Sequence, residues 1–178
     1  MHAHEGKLAV EVVAYGRSIV EDLGVHSYSR EPREKPWYRF FGHSLGHNTI
    51  LVDGLSQMRL ATGPQVVEAP LDNLWWSTAT CDYLAGSYEE GYGAGHYSEP
   101  MVSVYAPEDY RGAIDRSLQH RRSVCFVKAQ EPGEADYWIV SDWISGMGGH
   151  ICEALYHLVP AKISGENRTV RTMAADAA

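Results

Sequence analysis

The chain predicts an all-β fold, an antiparallel β-sandwich, on three observations. Strand-forming runs are short and recur at roughly even spacing. Glycines and prolines stand between them. No stretch keeps a long 3.6-residue apolar period. At 178 residues it is read as one domain, 1–178, large enough to bury a sizeable core.

Residues 8–15 are β-rich and partly alternating, Gly16-Arg17 turns, and residues 18–20 return as a hairpin. Residues 29–37, with Pro32, Pro36 and five charges, predict an exposed loop. Residues 48–52 predict a short buried strand, and Asp53-Gly54 the turn after it. Further strands are predicted over residues 65–69, 74–83, 101–105, 119–128, 137–144 and 151–158. Residues 169–178 predict a frayed end.

Charged residues make up 21% and hydrophobic ones 44%, the balance of a soluble globular domain rather than a disordered one. The net charge of −8 argues against a nucleic-acid or anionic-membrane binder, which needs a basic surface. It leaves room for an anionic sugar in a locally basic cleft. No apolar run approaches the length of a membrane span. Cys81, Cys125 and Cys152 match neither a zinc spacing nor a dense disulfide framework, and are expected to be buried free thiols.

The first fifty residues carry the chemistry. His2 and His4 are two apart, and in an extended segment such residues share a face. Asp22 follows a hydrophobic strand and His47 precedes another. Histidine and carboxylate donors of this kind suit zinc. Any one of them alone reads more simply as a hydrogen-bonded strand or turn residue.

The run from His2-Ala3-His4-Glu5-Gly6-Lys7-Leu8 through Asp22-Leu23-Gly24 to Gly46-His47-Asn48-Thr49, then Asp53-Gly54 and Gln57, resembles the heparinase II/III-like polysaccharide lyases. Weaker likeness continues through Arg121-Arg122, Asp136 to Asp142, and Tyr156-His157-Leu158. The resemblance implies β-elimination on uronic-acid-containing glycans, with an acidic polysaccharide as partner. It implies a divalent ion, taken as zinc, at His4, Asp22 and His47, more structural than hydrolytic. It makes His2 the catalytic histidine, able to act as base or charge-neutralising donor near neutral pH. Tyr38 is a candidate proton donor or sugar contact, set against a half-buried aromatic. Arg39 and Tyr28 are weaker substrate-binding candidates; a solvated arginine is the plainer reading of Arg39. The resembled enzymes carry further catalytic groups on an N-terminal helical toroid, so the chain is expected to be a fragment of a longer protein. A periplasmic or secreted location is likewise implied by resemblance, although no signal peptide precedes His2.

One departure concerns the site. The family commonly has an acid two residues after the second histidine, where this chain has Gly6, with Glu5 beside His4. Readings from other classes are a non-catalytic carbohydrate-binding or scaffold domain that keeps the metal, and a cupin-like metal enzyme. The order of the candidate ligands and Asp22-Leu23-Gly24 favour the lyase. His120 and His157 fall in strand contexts, as core or supporting groups. The tyrosine- and glycine-rich residues 83–97 read as a flexible loop or one wall of a glycan groove. Asn167-Arg168-Thr169 is a lone glycosylation sequon.

Overall fold

The structure, a computed structural model, describes residues 4–24, 31, 35–57, 74–96 and 114–173, and only the backbone of residues 35, 36, 38, 39, 94–96, 172 and 173. In chain order it has β1 (Val12–Ala14), β2 (Arg17–Val20), α1 (Lys35–Gly42), a 3-10 turn (Ser44–Gly46), β3 (Ile50–Val52) and β4 (Leu55–Gln57). There follow β5 (Leu74–Ser77), β6 (Cys81–Tyr88), β7 (Tyr92–His96), β8 (Gln119–Val127), β9 (Tyr137–Ser145), β10 (Cys152–Ala154), β11 (Lys162–Glu166) and β12 (Thr169–Met173). Strands hold 49% of the described residues and helix 6%, so the all-β expectation holds.

Two antiparallel four-stranded sheets, ordered β10-β3-β4-β7 and β5-β6-β8-β9, make the sandwich, and two hairpins, β1-β2 and β11-β12, stand beside them. The core joins the layers: Ile50, Val52 and Tyr92 come from the first sheet, Tyr88 from the second, and Leu118 from the residue before β8. Leu8 and Ile144 pack against it. Residues 83–97 are therefore not a loop throughout. Tyr88 and Tyr92 are buried edge to face, with ring centroids 5.6 Å apart.

Three hairpins close with two-residue turns in which both residues have positive φ: Tyr15-Gly16, Asp53-Gly54 and Asn167-Arg168. That backbone hand matches the right-handed strand twist. The third turn corrects the frayed end: residues 169–173 form β12, paired in register with β11. It lacks glycine, which hid it. The loop expected over residues 29–37 gives way to α1 from Lys35; Pro36 sits in the first turn, where a missing N–H costs nothing. The first predicted strand shrinks to Val12–Ala14. Residues 74–83 split into β5 and the start of β6, and 151–158 shorten to β10 plus a lone bridge at Leu158. The strands predicted over 65–69 and 101–105 lie outside the described residues. The cysteines are free but not buried: Cys81 and Cys125 are half-buried and Cys152 is exposed.

At one end of β3, the connection from β9 to β10 is tied to the Asp53 turn. His150 Nδ1 lies 2.7 Å from Asp53 Oδ2, and Nε2 lies 2.8 Å from the Met147 carbonyl. Both ring nitrogens face acceptors, so the contacts are satisfied together only by the imidazolium. The Asp53 hydrogen bond, then the Met147 carbonyl, raise the His150 pKa. A raised folded-state pKa contributes stability in full below about 6.5, lost as pH rises through the folded value. Nuclear magnetic resonance is expected to titrate His150 above about 6.5, with Asp53→Asn bringing it back toward that value. A wild-type midpoint at or below it would contradict the double-donor reading.

Candidate functional site

The segment before β1 was expected to be extended. In the described residues it bends and turns instead, with Leu8 at φ 59°. It lies against the 3-10 turn, β3 and β4, and side chains satisfy much of its backbone. Ser44 Oγ donates to the Glu5 carbonyl at 2.5 Å. Thr49 Oγ1 and Gln57 Nε2 both donate to the Lys7 carbonyl, at 2.8 and 3.0 Å. Arg122 Nη1 donates to the Leu8 carbonyl at 2.7 Å, and Asn48 Nδ2 to that of Val10 at 2.9 Å. The Lys7 N–H donates to Gln57 Oε1 at 2.6 Å, and the Glu5 N–H to the Gly42 carbonyl at 2.9 Å.

His47 follows the 3-10 turn, whose entry His43 caps by accepting from the Leu45 N–H. The His47 ring is buried, and its Nδ1 donates to Asp22, 2.8 Å from Oδ2 and 3.0 Å from Oδ1. Asp22 also accepts from the Gly24 N–H at 2.9 Å. Partial burial opposes ionisation of Asp22. The His47 hydrogen bond, the Gly24 N–H and the fields of His47 and His4 outweigh it and hold the carboxyl below the usual range. The His4 ring stands beside His47, centroids 5.2 Å apart. His47 Nε2 is buried without a hydrogen-bond partner among the described residues.

The structure thus brings His4, Asp22 and His47 together. Donors sharing one zinc at about 2.0–2.2 Å stand about 3 Å from each other, and two imidazoles on that ion have centroids about 5 Å apart. The His4–His47 spacing fits those values, and the Asp22–His47 spacing fits them once His47 Nδ1 gives up the proton it now donates to Asp22. Among the described residues no three histidine, cysteine, aspartate or glutamate side chains stand as a group that could hold a metal ion as placed. His2 and Tyr28 lie outside the described residues. Tyr38 and Arg39 are placed by backbone alone, on α1, which runs into the turn that delivers His47.

Gly6 and Glu5 take on a different meaning here. A Cβ on Gly6 would stand 2.7 Å from His47 Cγ, so the bare backbone is the seat of the ring. Glu5 is fully buried, and its carboxylate accepts from the Ser56 hydroxyl. Sequence reading gave no role to Glu5, Gln57, Asn48 or Arg122. The available signal was a charged Arg122 in step with His120 on one face of a strand. Gly6→Ala is expected to push the His47 ring off Asp22 and to cost about 1–3 kcal/mol in urea unfolding. Wild-type stability with unshifted His47 ring resonances would contradict the seat.

Residues 1–177 match a family model described as Heparinase II/III-like, C-terminal. No curated protein and no solved structure matches the chain. The family model spans essentially the whole chain, over a β-sandwich in which two histidines and an aspartate meet. The chain therefore belongs to the heparinase II/III-like family of polysaccharide lyases, as its C-terminal domain.

Proposed function

We propose that this chain is the β-domain of a lyase that cleaves uronic-acid-containing glycans by β-elimination, and that His4, Asp22 and His47 hold a divalent ion, zinc by donor type. The observation that carries the reading is the Asp22–His47 hydrogen bond with His4 alongside, in a chain of a polysaccharide lyase family. An acidic polysaccharide is the partner, and a periplasmic or secreted setting belongs to the same proposal.

In β-elimination a base takes the proton on C5, α to the uronate carboxylate. The C4–O4 bond breaks, a C4–C5 double bond forms, and O4 leaves with a proton. The carboxylate must be neutralised for C5–H to become acidic. His2 serves as base or as donor to that carboxylate. Tyr38 gives the proton to O4, and Arg39 and Tyr28 contact the uronate, Arg39 through its planar fork. A bound zinc supplies positive charge and a cross-link between the His4 and His47 segments. Without the ion Asp22 holds His47 by the Nδ1–H hydrogen bond, and Gly6 leaves room for that ring.

Further catalytic groups are assigned to a helical toroid N-terminal to this domain in a longer parent protein. The chain alone is expected to show little or no turnover on alginate, heparan sulfate or polyglucuronate. Loss of one preorganised group commonly costs about 10²–10³ in rate, and a groove with one wall positions substrate poorly. The assay is ultraviolet absorbance of the unsaturated uronate, run beside the parent protein. Turnover by the chain equal to the parent's would overturn the need for a toroid, and a parent inactive on all three would overturn uronate lyase activity on these glycans. Metal analysis is expected to find zinc in the wild-type chain and none in His47→Ala, with a lower Tm. Zinc retained by His47→Ala would remove His47 from the ligand set.

A further inference from the structure

Arg122 comes from β8, in the sheet opposite the histidines, and is almost wholly buried, at 2% exposure. The register places Asp142 of β9 on one side of it and Gly86, which has no side chain, on the other. Arg122 Nε and Nη2 donate to the two oxygens of Asp142 at 2.7 and 3.1 Å. His120 Nε2 meets the same carboxylate at 2.7 Å. The remaining nitrogen, Nη1, reaches across the sandwich to two main-chain carbonyls, Leu8 at 2.7 Å and Asn48 at 2.6 Å.

Those two carbonyls belong to the two segments that form the site. Leu8 lies four residues after His4, and Asn48 directly follows His47. Asn48 adds a second link, since its side chain donates to the Val10 carbonyl and accepts from the His157 N–H at 2.6 Å. A guanidinium is planar, and its N–H groups diverge at fixed angles. Held by Asp142 on one edge, it fixes where the Leu8 and Asn48 carbonyls stand relative to each other. Lysine cannot copy this, because one ammonium cannot serve both edges at once. Among the described residues no ladder hydrogen bond holds residues 4–11, and Arg122 ties that segment to the second sheet.

We propose that Arg122 is a positioning residue for the His4–His47 pair, setting the distance between the two histidine-bearing segments from the opposite sheet; this rests on the metal reading above. Zinc affinity of the 178-residue chain is measured by calorimetry well below the Tm of each variant. Arg122→Lys is expected to fold and to weaken zinc binding by about 10–100-fold, the usual effect of losing support behind a ligand. Phe126→Ala is the control: it removes a ring stacked on Trp138, farther along the same strand. It is expected to lower the Tm and to leave zinc affinity unchanged. Folded Arg122→Lys with wild-type affinity would overturn the proposal, and so would an equal loss in Phe126→Ala. If Arg122→Lys does not fold, Asp142→Asn replaces it, keeping the guanidinium while loosening its anchor; the same affinity loss supports the proposal and unchanged affinity overturns it. If the wild-type chain takes up no zinc, the metal reading falls on its own, and positioning is read from the His47 Nδ1 chemical shift. A shift moved in Arg122→Lys but not in Phe126→Ala then supports the proposal; one unmoved in both overturns it.

Discussion

Partial burial of an irregular backbone is the constraint on which this molecule turns. Residues 4–11 join neither sheet. A strand satisfies its carbonyls through the ladder; a bent segment cannot, and a buried carbonyl without a donor costs about 1–3 kcal/mol. The fold meets this with polar side chains sent inward: Ser44, Arg122 and Asn48 donate to the Glu5, Leu8 and Val10 carbonyls, and Thr49 and Gln57 share that of Lys7. This explains why the interior holds Ser44, Asn48, Thr49, Ser56, Gln57 and Arg122 beside a modest apolar cluster. The bend is also what sets His4 against His47.

A second constraint is electrostatic. A buried guanidinium is tolerated only with a paired anion and full hydrogen bonding, and removing one partner from such a pair costs about 3–5 kcal/mol. Asp142 meets that need. Burial opposes its ionisation, while hydrogen bonds from His120 and Arg122 overcome that and hold its carboxyl below the usual range. The pair takes one bond each from Nε and Nη2 and leaves Nη1 for the Leu8 and Asn48 carbonyls. The polar interior and the site share His47, and Asn48 directly after it accepts from the His157 N–H.

The fold class was legible because strand alternation and turn residues are local signals. β8 and β9 were found nearly end to end, since each is a strand-forming run with turn residues beyond it, and the two pair over nine positions. The Asn167-Arg168 hairpin was missed because its positive φ values fall on residues other than glycine. α1 was missed because two prolines and a charge run read as loop, although Pro36 is harmless in a first turn. At the site, residue types and order pointed to His4, Asp22 and His47. Partners of long sequence separation stayed hidden: Arg122 lies 114 residues from Leu8, and no local pattern announces which carbonyl a buried arginine will meet. Gly6 was read as a lost acid, whereas its bare Cα is the surface on which His47 rests.

Side chains hold residues 4–11 as firmly as a ladder would. Amide hydrogen exchange tests it most directly, at the N–H groups of Glu5, Lys7 and Ala9, whose acceptors are the Gly42 carbonyl, Gln57 Oε1 and the Gly6 carbonyl. Protection there is expected to approach that of Ile50–Val52 in β3, and Gln57→Ala is expected to strip it from Lys7 while β3 stays protected. Rapid exchange of all three amides in the wild-type chain, beside a protected β3, would contradict the claim.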